Sequence, residues 1–210
     1  MNTGWVDVVR KIEDYQKKID EVQSKMEALL SSSRYFHTVG VAHLASAIAM
    51  SYGEDAQKSM LAGLLHDNAK HTEDEQAIYE CEQNHLMITD TERSNPMLLH
   101  GKLGAFYART RYGIEDEEIL SAICYHTTGK PAMTFLEKNI FLSDYIEPRR
   151  TQPTSPELDV IRKTAFHNLD LSVYYALDNT LRFLRRKNRA IDTASEQAMK
   201  YYKDIISSVK

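Results

Sequence analysis

A chain of 210 residues with 42% hydrophobic and 27% charged residues is long enough for one sizeable core and stands apart from the disordered and membrane classes. Its formal net charge of -4 supplies no bulk attraction to nucleic acid or to an anionic membrane surface. No apolar run approaches the roughly 20 residues of a membrane span, residues 1–30 hold no continuous apolar signal-peptide core, and Cys81 and Cys124 stand at no recognisable metal spacing, so a cytoplasmic protein is expected.

With only 8 Gly and 5 Pro, long helices are expected. Trp5, Val8, Ile12, Tyr15, Ile19, Val22, Met26 and Leu29 recur at steps of three and four, a heptad-like stripe on one N-terminal amphipathic helix within residues 1–33. Such a helix packs on its own domain or pairs with a second copy as a homodimer, and the pattern fits both. Ser31-Ser32-Ser33 breaks it and caps the next helix, which runs from Ser33 or Arg34 to about Met50 with Arg34, His37, Val41, Leu44 and Ile48 on one face; Tyr52-Gly53 ends it. Asp55 is the expected N-cap of a third helix whose buried side carries Ala56, Met60, Gly63, Leu64 and Asp67, with Lys70 one turn on.

Residues 71–91 are polar and acidic and read as a surface connection with a short helix around residues 74–81. Asn95-Pro96 starts a helix, with proline in its first turn, that carries His100 and the small residues Gly101, Gly104, Ala105 and Ala108. A helix from Asp116 places Ile119, Ala122, Ile123 and His126 on one face, and Thr127-Thr128-Gly129 closes it. After Pro131, Met133, Leu136, Ile140 and Asp144 share a face, until Glu147-Pro148 stops the helix beside Arg149 and Arg150. Ser155-Pro156 opens a helical tail with stripes Leu158, Ile161, Ala165 and Val173, Leu177, Leu181, Leu184, and Asp192 caps a last helix. No strand pattern or repeat interrupts this, so the fold class is all-α.

Within Ala62-Gly63-Leu64-Leu65-His66-Asp67-Asn68-Ala69-Lys70, an apolar helix end turns abruptly into a histidine beside an aspartate. Burying that pair is costly unless each finds a hydrogen bond or a metal. Singly, a histidine at the end of an apolar stripe or an aspartate near a helix end has an ordinary structural explanation. Jointly, His37, His66, Asp67, His100, His126 and Asp144 lie on or at the edge of core-facing stripes of five predicted helices. Bringing those faces together assembles nitrogen and oxygen ligands suited to iron, manganese, cobalt or zinc. His43, His71, His85 and His167 do not join such stripes.

This ordered set, with Arg34-Tyr35-Phe36-His37-Thr38, His100-Gly101, His126-Thr127-Thr128-Gly129 and Asp144-Tyr145-Ile146-Glu147-Pro148-Arg149-Arg150, resembles the HD superfamily of metal-dependent phosphohydrolases, and within it the YqeK family of symmetrical dinucleoside tetraphosphatases. The resemblance covers residues 34–210 and implies an HD-domain helical bundle with residues 1–33 as an addition. It implies a hydrolase that splits diadenosine tetraphosphate and related dinucleoside tetraphosphates into two ADP by metal-activated water, with iron first among the metals. By the same resemblance His37, His66, Asp67 and Asp144 are metal ligands. Arg34, Asp67, Lys70, His100, His126, Thr127 and Arg150 contact the phosphates or ADP, Asp67, Lys70, His100 and His126 among them acting in catalysis. His100 and His126 could instead hold a second metal. The competing readings are an HD-domain nucleotidase or phosphodiesterase on other nucleotides, and a non-catalytic nucleotide-sensing or RNA-associated protein using Arg182, Arg185, Arg186, Lys187 and Arg189, although nucleic acid and membrane partners are not expected.

Overall fold

The computed structural model describes residues 3–149 and 156–208, with side chains from residue 9 onward, residues 11 and 156 excepted. Helix α1, Thr3–Leu29, is followed by α2, Ser32–Tyr52, and α3, Ala56–Leu65. Asp55 caps α3 by accepting from the Lys58 N–H, and Gly53 closes α2 in the left-handed conformation, both as the sequence predicts. Helices α4 (Asp74–Gln83) and α5 (Asp90–Ser94) fill the polar connection, and a 3-10 turn, Pro96–Leu98, leads into α6, Leu99–Tyr112. Then come α7, Glu117–Tyr125, α8, Phe135–Ile146, α9, Pro156–Ala165, α10, Leu169–Arg186, and α11, Thr193–Ser208. The described residues form no strand, and none of their helices is long and apolar enough to cross a membrane.

The connection is more built than its composition suggests. Ala77 and Cys81 of α4 are buried, and Thr89 and Glu92 close a capping box on α5. Proline at the head of the following segment starts a 3-10 turn, and the α-helical ladder begins only at Leu99.

Two apolar clusters organise the bundle. Ile19, Met26, Leu64, Leu65, Leu103 and Ile123 belong to the first, and Ile161, Val173, Leu177 and Tyr202 to the second. Helix α8 serves both, giving Leu136 and Ile140 to one and Phe141, Leu142 and Ile146 to the other. Each such fully buried side chain contributes roughly 1.5–3 kcal/mol relative to exposure. The C-terminal half of α1 joins the first cluster through Ile19, Val22 and Met26, while Val9 and Ile12 are exposed. The side chains of Trp5 and Val8 lie outside the described residues. Close packing of α2 on α3 depends on Gly63, where an added Cβ would stand 2.7 Å from the Ala42 Cα. That approach brings the first turns of α2 over the end of α3.

Candidate metal and phosphate site

Five elements converge on Asp67. His37 comes from the second turn of α2, His66 and Asp67 from the end of α3, His100 from the start of α6, His126 from the end of α7, and Asp144 from the last turn of α8. His66 terminates α3, and the chain continues in turns with the Lys70 N–H bonded to the Asp67 carbonyl. His66 keeps helical backbone angles, so the two side chains leave the chain about a hundred degrees apart and reach one point from two sides, His66 Nε2 lying 3.4 Å from Asp67 Oδ2.

The ring orientations follow from carbonyl partners. His66 Nδ1 donates to the Gly63 carbonyl at 2.7 Å and His126 Nδ1 to that of Ile123 at 2.7 Å, because a carbonyl can only accept. His100 Nδ1 makes the corresponding bond to the Met97 carbonyl. All three rings thus turn Nε2 lone pairs inward. The His100 and His126 Nε2 atoms stand 3.0 Å apart, with the Thr127 hydroxyl 3.2 and 3.1 Å from them and Lys70 Nζ 3.2 Å from His100 Nε2. His66 Nε2 is different: it is buried and has no hydrogen-bond partner.

His37 sits between carboxylates, its Nε2 3.0 Å from Asp144 Oδ1 and its Nδ1 3.2 Å from Glu147 Oε2. A neutral imidazole has one N–H for these two contacts, so one of them calls for another proton or a cation. Glu147 is 1% exposed and fits because Gly40 has no side chain; a Cβ there would lie 2.6 Å from Glu147 Oε1. Sequence reasoning read Glu147 only as part of a helix stop. Its one local signal is a carboxylate three residues after Asp144.

Asp67 is the hub. Arg34 donates to its Oδ2 at 2.9 Å, and His100 and His126 Nε2 lie 3.3 and 3.7 Å from its Oδ1. Burial would raise the Asp67 carboxyl, but the surrounding His66, His100 and His126 hold it well below the ordinary carboxylate range. Burial likewise opposes charge on His66, yet Asp67, Asp144 and the Gly63 carbonyl together raise it. His100 is pushed down to about 4 by burial, with Lys70 and His126 adding to the effect.

Three overlapping groups of His and Asp atoms, His37–His66–Asp67, His66–His126–Asp144 and Asp67–His100–His126, are each close enough to hold a metal ion. The orphaned His66 Nε2 and the twice-carboxylated His37 fit a divalent cation. All four expected metal ligands lie together here. Of the expected nucleotide contacts, Arg34, Lys70, His100, His126 and Thr127 border the same cluster, and Arg150 lies outside the described residues. His43, His85 and His167 take no part. In the basic tail, Arg182 pairs with Asp178 and Glu157, and Arg185 with Glu196.

Two cavities adjoin the cluster. One of about 410 Å³ is lined by Thr127, Thr128, Leu184, Arg189 and Ser195, and one of about 420 Å³ by Lys70, Thr72, Glu73, Ala77 and His100. Asn95 and Met97 line both.

The family model of the HD domain matches residues 34–163, the span that supplies every residue of this cluster. The chain belongs to the HD-domain family, among the symmetrical bis(5'-nucleosyl)-tetraphosphatases. A Bacillus subtilis protein of that name is 37% identical over 174 residues, which cover 82% of this chain and 90% of the relative. Another from Halalkalibacterium halodurans is 42% identical over 162 residues, 77% of this chain and 84% of the relative. A crystal structure from Clostridium acetobutylicum, described as a predicted HD superfamily hydrolase involved in NAD metabolism, superposes with a TM-score of 0.84 at 36% identity, covering 88% of this chain and 96% of that one. This HD domain carries the candidate ligands of a divalent metal, in a family that implies one.

Proposed function

We propose that this protein is a metal-dependent hydrolase that cleaves diadenosine tetraphosphate symmetrically to two ADP. One observation carries the reading: the cluster is acidic on one side of Asp67 and lined with donors on the other, as a cation beside a polyphosphate requires. His37, His66, Asp67 and Asp144 would hold the metal, and Glu147 would orient His37. When bound, a divalent metal supplies Lewis acidity and water made acidic enough to attack phosphorus near neutral pH. Iron is our first choice, since the nitrogen and oxygen donor set suits it, with manganese, cobalt and zinc as the alternatives.

Arg34, on the Oδ2 side of Asp67, and Lys70, on the Oδ1 side, flank the cluster and neutralise the phosphates, the first as a fork and the second as a point charge. Thr127 and the two imidazoles His100 and His126 border the phosphates and orient the departing ADP. Arg150 completes the cation set by its place after Asp144. The alternative is a second metal, which Asp67, His100 and His126 would hold. The cavity beyond Thr127 takes one nucleoside. A cytoplasmic location accords with the substrate, and the exposed Val9 and Ile12 leave α1 able to pair with a second copy.

The test is to incubate metal-analysed protein with diadenosine tetraphosphate under reducing conditions, with iron(II), manganese or chelator, and separate the products. ADP alone, lost with chelator, is the expected result. ATP plus AMP would refute symmetrical cleavage, and no product with any metal would refute the activity.

A further inference from the structure

Reacting groups that lie between two nucleoside-sized volumes favour a cut at the centre of a molecule with a nucleoside at each end. The cluster has that arrangement. The 3-10 turn Pro96–Leu98 stands as a partition, since its flank Asn95 and its own Met97 line both adjoining cavities. Each volume, about 410 and about 420 Å³, is in the range of small-ligand pockets, roughly 300–1,000 Å³. The Thr127 cavity is already assigned to one nucleoside above; the cavity on the other side of the partition is not.

Its wall changes sign. Lys70 and His100 belong both to this cavity and to the cluster, whereas Glu73 and Asp74, at the start of α4, line it without touching the cluster. A phosphate is drawn to Lys70 and repelled by the two carboxylates. Carboxylates accept hydrogen bonds from ribose hydroxyls or from an exocyclic amine, groups that a nucleoside offers and a bare phosphate chain lacks. We infer that the cavity between Lys70 and Ala77 binds the second nucleoside of the substrate, with Glu73 and Asp74 as its acceptors, so that the enzyme selects polyphosphates capped at both ends. The inference rests on the reading under Proposed function.

Glu73 is suited to a test because it is exposed and its side chain makes no cap bond to α4, so replacement spares the fold. Glu73→Trp fills the cavity, and Glu73→Gln removes only the charge. Two readouts are used on the metal-loaded protein: ADP stoichiometry by calorimetry, and kcat/KM for diadenosine tetraphosphate relative to adenosine tetraphosphate, which has one nucleoside on the same phosphate chain. We expect two ADP sites per wild-type chain and one in Glu73→Trp. The ratio of the two specificities should fall at least tenfold in Glu73→Trp and severalfold in Glu73→Gln. A single ADP site in the wild type, or an unchanged ratio in a folded Glu73→Trp protein, overturns the inference while leaving the hydrolase reading standing. Failure of the wild type to hydrolyse diadenosine tetraphosphate would instead strike the hydrolase reading itself.

Discussion

The two oxygens of Asp67 face different chemistry. Oδ2 meets Arg34 and His66, and behind His66 lie Asp144, His37 and Glu147, a grouping rich in carboxylates. Oδ1 meets His100 and His126, backed by Lys70 and Thr127, a grouping rich in donors. One carboxylate thus divides a cation-attracting half from an anion-attracting half within a few ångströms. In a buried setting such opposed charges interact strongly, so each half reinforces occupancy of the other.

The largest break in this comparison comes from Asp67→Ala, which removes the hub of both halves. Turnover should drop to background and the metal content should fall with it; an inactive variant with wild-type metal content would refute the division. Glu147→Gln touches only the carboxylate-rich half. Loss of a partner that orients a ligating histidine costs about 10–100-fold in metal affinity or activity, so metal titration should show a weakening of that size, and unchanged affinity would remove Glu147 from the site. Lys70→Ala touches only the donor-rich half. It should lower kcat/KM by about 10²-fold while metal content stays at the wild-type level, whereas metal loss would show that the halves are not separate.

The smallest expected effect leaves both halves intact and acts on α8, which carries Asp144. Thr134 and Glu137 form its capping box, and Lys130 pairs with Glu137 at 2.7 Å. Thr134→Ala should cost about 1 kcal/mol of stability with little change in metal content, read by thermal melting. Burial works against the Glu137 carboxylate, but Lys130, Ser121 and the Thr134 N–H hold its pKa below the ordinary value. A carboxyl lowered in the folded state stabilises above its unfolded pKa and loses that contribution as pH falls through the folded pKa. The melting temperature of the wild type should therefore fall more steeply below about pH 4.5 than that of Glu137→Gln. Equal slopes would show that Glu137 adds no acid-sensitive stability.

Much of the bundle is legible in the chain. Stripes such as Ile19, Val22 and Met26 or Val173, Leu177 and Leu181 mark the buried faces because a helix repeats its environment every three or four residues. Asp55 and Asp116 announce helix starts by their capping chemistry. The buried interior of α4 was less legible, since the apolar positions Ala77 and Cys81 are diluted by acidic neighbours that face solvent.

For the site, the sequence by itself determined which polar residues stand at the ends of apolar stripes and in what order. Local periodicity reports which face of an element is buried. It does not report which buried faces meet. The contact of His37 with Glu147, the paired Nε2 atoms of His100 and His126, and the unpartnered Nε2 of His66 join residues far apart in the chain or depend on where α3 ends. The tertiary structure alone decided the two-sided character of Asp67, because the sign of its surroundings is a sum over five helices whose packing no single stretch of sequence encodes.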